Sequence, residues 1–369
     1  MNIRDYIKNN PYRVLGIATT DSSATLMSNN SRIKAFASIG KEVSFPFDFD
    51  SVFGEKPKRH PDHMAAAMSA LSTPEGRLRY GMFWFMNITP TDARALAALA
   101  QGCDLVEARK IWEEGEQNMS SLQNQLVCCL LKDTRSYSKA LQLAHTLYYI
   151  YGTEFILAVG NGFEVVASEK LLSTFFTEIV KASEGDCKCW DKAVARCDQV
   201  RFSSLWAEAK AFPLLEKLQD ALNVAQSTER MKPQDHFAIA FRLMKQAEPL
   251  LKQLKALASV HPKLQSRYST IADTIAEEVL DREITYWNRS PWSRRQKEKV
   301  MPLMCFCYRY ACYVRFKKRC KENINRVLGR KEDAPLFPNG KPDNHSASDR
   351  KKCNAGISGI LLALQEHYS

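Results

Sequence analysis

Apolar residues recur at helical spacing along almost the whole chain, and hardly anywhere do they alternate with a period of two. The clearest stretch lies between 120 and 150. Leu122, Leu126, Cys129 and Leu130 share one helical stripe, and after the Asp133-Thr134-Arg135 turn Ala140, Leu141, Ala144 and Leu147 form a second. Two amphipathic helices joined by a short polar turn make an αα-hairpin, the unit from which helical-repeat bodies are stacked. With 15 glycines and 15 prolines in 369 residues, the chain is also poor in the residues that turn-rich all-β folds need. An all-α architecture is expected, its body an α-helical repeat or bundle.

Proline, glycine and N-cap residues punctuate this pattern. They predict helices over 92–100, 104–116, 120–131, 137–150, 168–183, 233–258 and 262–287. A helix over 190–225 is expected to be interrupted near Pro213, and 294–328 to form one long basic helix. A Pro-, Gly-, Asn- and Asp-rich loop over 329–346 then leads to a terminal helix over 347–367. The run Phe155-Ile156-Leu157-Ala158-Val159 before Gly160 is the best candidate for a strand. On a prior of roughly 150 residues per domain, the length suggests two or three units. The expected division is 1–89, 90–288 and 289–369. The hairpin at 120–150 is similar in architecture to tetratricopeptide hairpins, although no repeat of fixed length can be aligned along the chain.

Hydrophobic residues at 45% and charged residues at 25% fit an ordinary globular chain and exclude disordered and collagen-like classes. The N-terminus lacks the apolar run of a signal peptide, and no 18-residue apolar stretch free of charge occurs. No transmembrane segment and a cytoplasmic location are therefore expected. The 11 cysteines are odd in number and scattered through apolar helical patterns, which suits free buried thiols in a reducing compartment. Cys305 and Cys312, seven apart, would share one apolar stripe of the basic helix. Gly160-Asn161-Gly162 is a lone G-x-G, and P-loop, G-x-S-x-G and H-E-x-x-H patterns are absent. No catalytic residue, metal site or cofactor is expected.

The net charge of +11 is unevenly spread. Between Arg289 and Lys331 stand fourteen Lys or Arg against Glu298 and Glu322. Arg294, Arg295, Arg315, Lys317, Lys318, Arg319 and Lys321 are the candidate contacts for an acidic protein, a nucleic acid or anionic lipid, with a plain solvated face as the alternative. Leu303, Phe306, Tyr310, Tyr313 and Phe316 sit at helical spacing there and are expected to face the core.

The N-terminal segment carries further patterns. Tyr12-Arg13-Val14-Leu15-Gly16 lies in a first helix, a second helix runs to Gly40, and Leu71-Ser72-Thr73-Pro74-Glu75-Gly76-Arg77-Leu78-Arg79-Tyr80 follows a third. In this order the segment resembles the J-domain of DnaJ-type co-chaperones, over less than a quarter of the chain. The resemblance implies a small helical unit whose His-Pro-Asp tripeptide engages a DnaK-type ATPase, assisted by a basic face on the second helix. His60-Pro61-Asp62 stands here, and Arg32 and Lys34 are the basic residues of the second helix. Nineteen residues, Lys41 to Arg59, separate that helix from the tripeptide, where the family has none. They include the apolar Phe45, Phe47 and Phe49. Two readings of the tripeptide stand: chaperone contact, or helix-start chemistry with Pro61 at the first position and Asp62 as a first-turn acid. The run Met82-Phe83-Trp84-Phe85 is expected to pack this unit onto the next helices, with a peptide-binding groove as the alternative.

Together these features predict a non-catalytic adaptor or co-chaperone-like protein. Its N-terminal unit would contact a DnaK-type chaperone or another partner, and its helical body would bind a client. A nucleic-acid-associated protein using 289–331 is the alternative.

Overall fold

The computed structural model describes residues 2–160, 168–184, 186–197, 200–227, 232–289 and 294–329. Every regular element among them is helical, so the fold is all-α. The expected terminal helix over 347–367 and nearly all of the loop over 329–346 lie outside the described residues, as do Asn161 and Gly162.

The chain divides into two compact units, Met1–Lys210 and Ala211–Ser369. The first unit holds α1 (Ile3–Lys8), α2 (Pro11–Leu15), α3 (Ser23–Ser38), α4 (Asp50–Phe53), α5 (Pro61–Ala70), α6 (Pro74–Gly81), α7 (Pro90–Ala100), α8 (Leu105–Glu114), α9 (Met119–Lys132) and α10 (Tyr137–Ile150). It continues through α11 (Gly152–Gly160), α12 (Ser168–Ala182) and α13 (Lys188–Arg196) into α14 (Val200–Gln226), which contains the division. The second unit continues with α15 (Pro233–Val260), α16 (Gln265–Arg289), α17 (Arg294–Tyr310) and α18 (Val314–Leu328).

Caps explain why many of these boundaries were readable. Asn10, Ser22, Thr73, Thr89, Asp104 and Asn118 each accept a backbone N–H of the first turn that follows, and Pro11, Pro74 and Pro90 occupy first-turn positions. Other boundaries moved. The 155–159 run is helical, because Phe155, Ile156, Val159 and Gly160 are buried while Glu154 and Leu157 are exposed, a period no strand has. Pro213 sits inside an uninterrupted α14, where buried Ala209 and Ala211 hold the packed face through the missing hydrogen bond.

The core of the first unit is organised around a non-helical run, Met82–Met86, whose five side chains are all fully buried. Phe83 stacks on Phe175 at 5.3 Å, Trp84 on Phe53 at 6.3 Å, and Phe85 on Trp112 at 6.3 Å. Burying each of these rings stabilises the fold by roughly 2–3 kcal/mol, provided the peptide groups between them are satisfied. The amides of α9 do this. Gln123 Nε2 donates to the carbonyls of Gly81, Met82 and Trp84, and the Asn124 amide exchanges two hydrogen bonds with the Met86 backbone. The run therefore packs this part of the unit onto the following helices, as expected. With no ring exposed, it offers no peptide-binding groove.

Close by, the buried Asp92 carboxylate accepts from the Thr89 backbone (2.8 Å), Trp112 Nε1 (2.9 Å), Ser120 Oγ (2.7 Å) and Asn124 Nδ2 (3.0 Å). It thereby joins α7, α8 and α9 through neutral donors. Glu178 on α12 pairs with Arg79 of α6 at 2.7 Å and accepts from the Tyr6 hydroxyl of α1 at 3.1 Å. Burial and that neighbouring carboxylate push the Tyr6 phenol well above its ordinary pKa. Gly81 is required where α6 meets α11, since a Cβ there would lie 2.5 Å from Val159 Cγ1.

In the second unit α15 and α16 pack along their lengths, and α17 and α18 return against α16. Tyr286, Trp287, Val300, Met301, Met304, Cys305, Ile324 and Val327 form one buried cluster. The expected single helix over 294–328 is two. The chain breaks at Ala311–Tyr313, where the buried Asp273 of α16 accepts the N–H groups of Cys312 (2.8 Å) and Tyr313 (3.1 Å). A long-range carboxylate thus takes the place of continued helical hydrogen bonds, and Cys312 leaves the stripe of Cys305. Leu303, Phe306 and Tyr310 face the core as expected, but Phe316 is half-buried and Tyr313 is exposed.

Glu283 of α16 is fully buried, and among the described residues neither carboxylate oxygen has a hydrogen-bond partner. Desolvation raises its pKa to about 8. The folded state thus holds a proton that the unfolded chain releases at ordinary carboxylate pH, so this group makes stability fall as pH rises from the normal Glu range through 8. Glu283→Gln should leave the Tm near that of the wild type at pH 5 and raise it by roughly 5 °C at pH 9. Thermal denaturation at the two pH values checks this, and equal Tm shifts at both would contradict it.

Candidate functional site

The tripeptide region is built on α2. Pro11 opens this helix, and Gly16 closes it in the left-handed conformation at φ +66°. A Cβ at Gly16 would also lie 2.4 Å from Cγ of Phe45, so the position needs glycine both for its turn and for the ring pressed against it. Phe45 belongs to the Lys41–Arg59 segment that separates α3 from the tripeptide. That segment sends Val43, Phe45, Asp48, Phe49, Val52 and Phe53 into the interior. Phe45 and Phe49 are buried, Phe47 meets Phe49 edge-on, and Phe49 lies against Trp84 and Phe85. The phenylalanines left unexplained by sequence are thus part of the core.

Three charged side chains fix the segment. Arg13, only 1% exposed, donates from Nε to the Asp48 carbonyl (2.8 Å) and from its two terminal nitrogens to the carbonyls of Lys8 (3.1 Å) and Glu55 (2.6 Å). Arg59 donates to the carbonyls of Val14 (2.8 Å) and Val43 (2.9 Å) and forms a two-pronged pair with the Asp48 carboxylate. Asp48 also accepts the Phe45 N–H at 3.0 Å. Burial lowers the Arg13 pKa to about 10 against the opposing pull of Asp48 and Asp50, which still leaves the guanidinium charged at neutral pH. Two arginines here satisfy carbonyls that no helix could pair.

Arg59 immediately precedes the tripeptide. His60 is the N-cap of α5 in an extended conformation and makes no side-chain cap bond, Pro61 is the first helical residue, and Asp62 lies in the first turn. The helix-start reading is therefore met by Pro61 and Asp62. All three side chains are exposed, and the rings of His60 and His63 lie 6.0 Å apart. Beside them a cleft of about 200 Å³ is lined by Lys8, Pro11, Val14, Lys58, His63 and Tyr80.

Arg32 on α3 is exposed and stands over Phe45 at 5.3 Å, while Arg59 stands over the same ring at 4.9 Å. One aromatic ring thus links the basic helix to the residue that holds the tripeptide. Lys34 is exposed and takes no part in this arrangement. Sequence alone missed Arg13, Asp48 and Arg59; the signal was the alternating apolar run from Val43 to Phe49 together with a basic residue directly before the tripeptide.

The basic segment is not one patch. The break at 311–313 folds it into a hairpin, and the 17-residue α17 separates Arg295 from Arg315 and its neighbours by roughly 25 Å. Arg319 pairs with Asp281 (2.7 Å) and Glu277 (3.4 Å) of α16, Lys318 lies 3.9 Å from Glu322, and Lys317 stands over the Tyr308 ring at 5.2 Å. Lys321 is half-buried, whereas Arg295 and Arg315 are exposed; of Arg294 only the backbone is described. The second unit also has a groove of about 620 Å³ between α14 and α16, lined by Leu215, Gln219, Leu222, Arg267 and Ile271.

Among the described residues the cysteines are free thiols, and no group of three or more His, Cys, Asp or Glu could hold a metal ion. No helix of the described residues is long and apolar enough to cross a membrane. No protein-family model, curated protein or solved structure matches the chain.

Replacing Asp48 by Asn would leave two inward-facing arginines against a neutral amide. Breaking a buried pair from one side costs about 3–5 kcal/mol. Asp48→Asn should therefore lower the urea midpoint of the first unit's unfolding transition clearly, whereas Lys34→Ala should not move it. A midpoint for Asp48→Asn equal to that of the wild type would show that the clamp does not hold the segment.

Proposed function

We propose that the protein is a non-catalytic helical adaptor of the co-chaperone kind, whose first unit engages a DnaK-type ATPase through His60, Pro61 and Asp62. The observation that carries this reading is the contrast between the tripeptide and the residue before it. Arg59 is fixed by hydrogen bonds to three carbonyls and a carboxylate, while His60 and Asp62 project into solvent with no cap bond or ion pair among the described residues. Helix-start chemistry accounts for Pro61 and a first-turn acid. It does not account for an exposed His60 or for a clamped base beneath it.

The chemistry fits a cationic partner cleft. Asp62 offers a carboxylate for a charge-assisted pair, His60 a ring for a hydrogen bond, and Pro61 keeps the spacing between them constant. Ordering costs little on binding, because the presenting backbone is already held. Arg32, seated on Phe45, supplies a cation in the same neighbourhood. The J-domain resemblance supplies the class of partner, and the groove between α14 and α16 is the recessed surface at which the helical body would take a client segment.

Because Asp62 is exposed, Asp62→Asn should leave stability within about 0.5 kcal/mol of the wild type. The purified wild type should stimulate the steady-state ATPase of a DnaK-type chaperone from the same source, and Asp62→Asn should return it to background. Equal stimulation by both proteins, or none by either, would remove the proposal.

A further inference from the structure

A second recessed surface lies in the first unit, away from the tripeptide. It is a cleft of about 190 Å³ between the start of α10 and α13, lined by Thr134, Arg135, Ser138, Cys189, Lys192 and Arg196, with Ala193 at its base. We propose that this cleft binds a phosphate dianion, either a phosphomonoester or free phosphate.

The charge balance is the first argument. Arg135, Lys192 and Arg196 line one small space, and none of them has an ion-pair partner among the described residues. Some other cations of this unit are matched, Arg79 and Lys181 by Glu178, Lys210 by Asp191 and Arg59 by Asp48; what marks these three is that they line one cleft together. Three cations facing one cleft repel one another, and a dianion is the counter-charge that removes the repulsion.

The acids adjacent in sequence to the lining residues each have a hydrogen-bond partner of their own. Asp191, next to Lys192 in sequence, accepts from Trp206 Nε1 (2.7 Å) and from Lys210 Nζ (2.8 Å). Asp133 caps the turn ahead of α10 by accepting the Arg135 N–H at 2.8 Å.

The donor set and the walls are the second argument. Cys189, Lys192 and Arg196 recur at i, i+3 and i+7, so they share one face of α13, and Thr134 and Ser138 add hydroxyl donors from the opposite side. Two guanidinium forks, an ammonium and two hydroxyls match the oxygens of a tetrahedral phosphate better than the two oxygens of a carboxylate. The walls are held together below the cleft, where Tyr137 stacks on Trp190 at 4.0 Å with planes 10° apart. Both rings are buried, so the cationic face is carried on a rigid base.

Cys189 provides the readout, as the one free thiol of the described residues that is exposed. The full-length protein is alkylated with neutral iodoacetamide and the rate at Cys189 followed by peptide mass spectrometry. Competing solutes are sodium chloride, inorganic phosphate and N-acetyl-phosphoserine amide at matched ionic strength. Phosphate chemistry should slow alkylation at Cys189 at least fivefold relative to chloride. Protection should vanish in the Arg135→Gln/Lys192→Gln/Arg196→Gln variant, whose three changes are all at exposed positions and whose helical circular dichroism should match the wild type.

Protection by both phosphates assigns the site to a phosphomonoester, such as a phosphorylated side chain of a partner. Protection by inorganic phosphate alone assigns it to the free ion. Protection no greater than with chloride, or equal protection of the triple variant, overturns the proposal.

Discussion

Burying a stretch of backbone that is not helical obliges some other part of the chain to supply its hydrogen bonds, and the first unit depends on how this is done. Met82–Met86 brings three large aromatic rings into the centre; backbone partners take the N–H groups of Met82, Phe83 and Trp84 and the carbonyl of Phe85, but the carbonyls of Met82 and Trp84 and both backbone groups of Met86 are met by side chains. Gln123 and Asn124, on the buried N-terminal half of α9, answer with side-chain amides. An amide carries a donor and an acceptor without charge, so it can follow an irregular strand of chain into the core at little desolvation cost. Without those two amides, several buried peptide groups would be left unpaired at a cost of about 1–3 kcal/mol each.

The same demand recurs at other junctions, where carboxylates meet it. Asp48 holds the segment ahead of α5, Asp92 the turn into α7, and Asp273 the break between α17 and α18. In each case the carboxylate accepts one or two backbone N–H groups that no helix takes. Glu283 is the counter-example, a buried carboxylate without donors among the described residues, whose pKa rises to about 8 as a consequence. The first three sit among fixed hydrogen-bond donors, whereas desolvation alone acts on Glu283 and favours its protonated form.

Rigid presentation links the fold to the proposed function. Loops that bind partners are commonly mobile and lose freedom on binding. Here the segment leading to His60 is tied down by Arg13, Asp48 and Arg59, and the tripeptide side chains are left outward. The cationic cleft repeats this arrangement, with a buried Tyr137–Trp190 stack beneath an exposed polar face. Both surfaces thus place exposed, chemically committed side chains on a base that cannot readily adjust.

By itself the sequence determined the helical class, the position of most helix starts and the inward face of many helices, because caps, first-turn prolines and the 3.6-residue period act locally and leave a mark within a few residues. It also exposed the tripeptide and the order of motifs around it. Only the tertiary structure decided that 155–159 is helix, that Pro213 lies within α14, and that the basic segment turns back on itself at 311–313. In the last case the deciding group, Asp273, is about 40 residues from the amides it caps. The clamp on Lys41–Arg59 and the cleft between α10 and α13 were likewise hidden, since their residues converge from separate helices and loops. Periodicity records which side of a helix faces inward, but not which distant charge will meet it there.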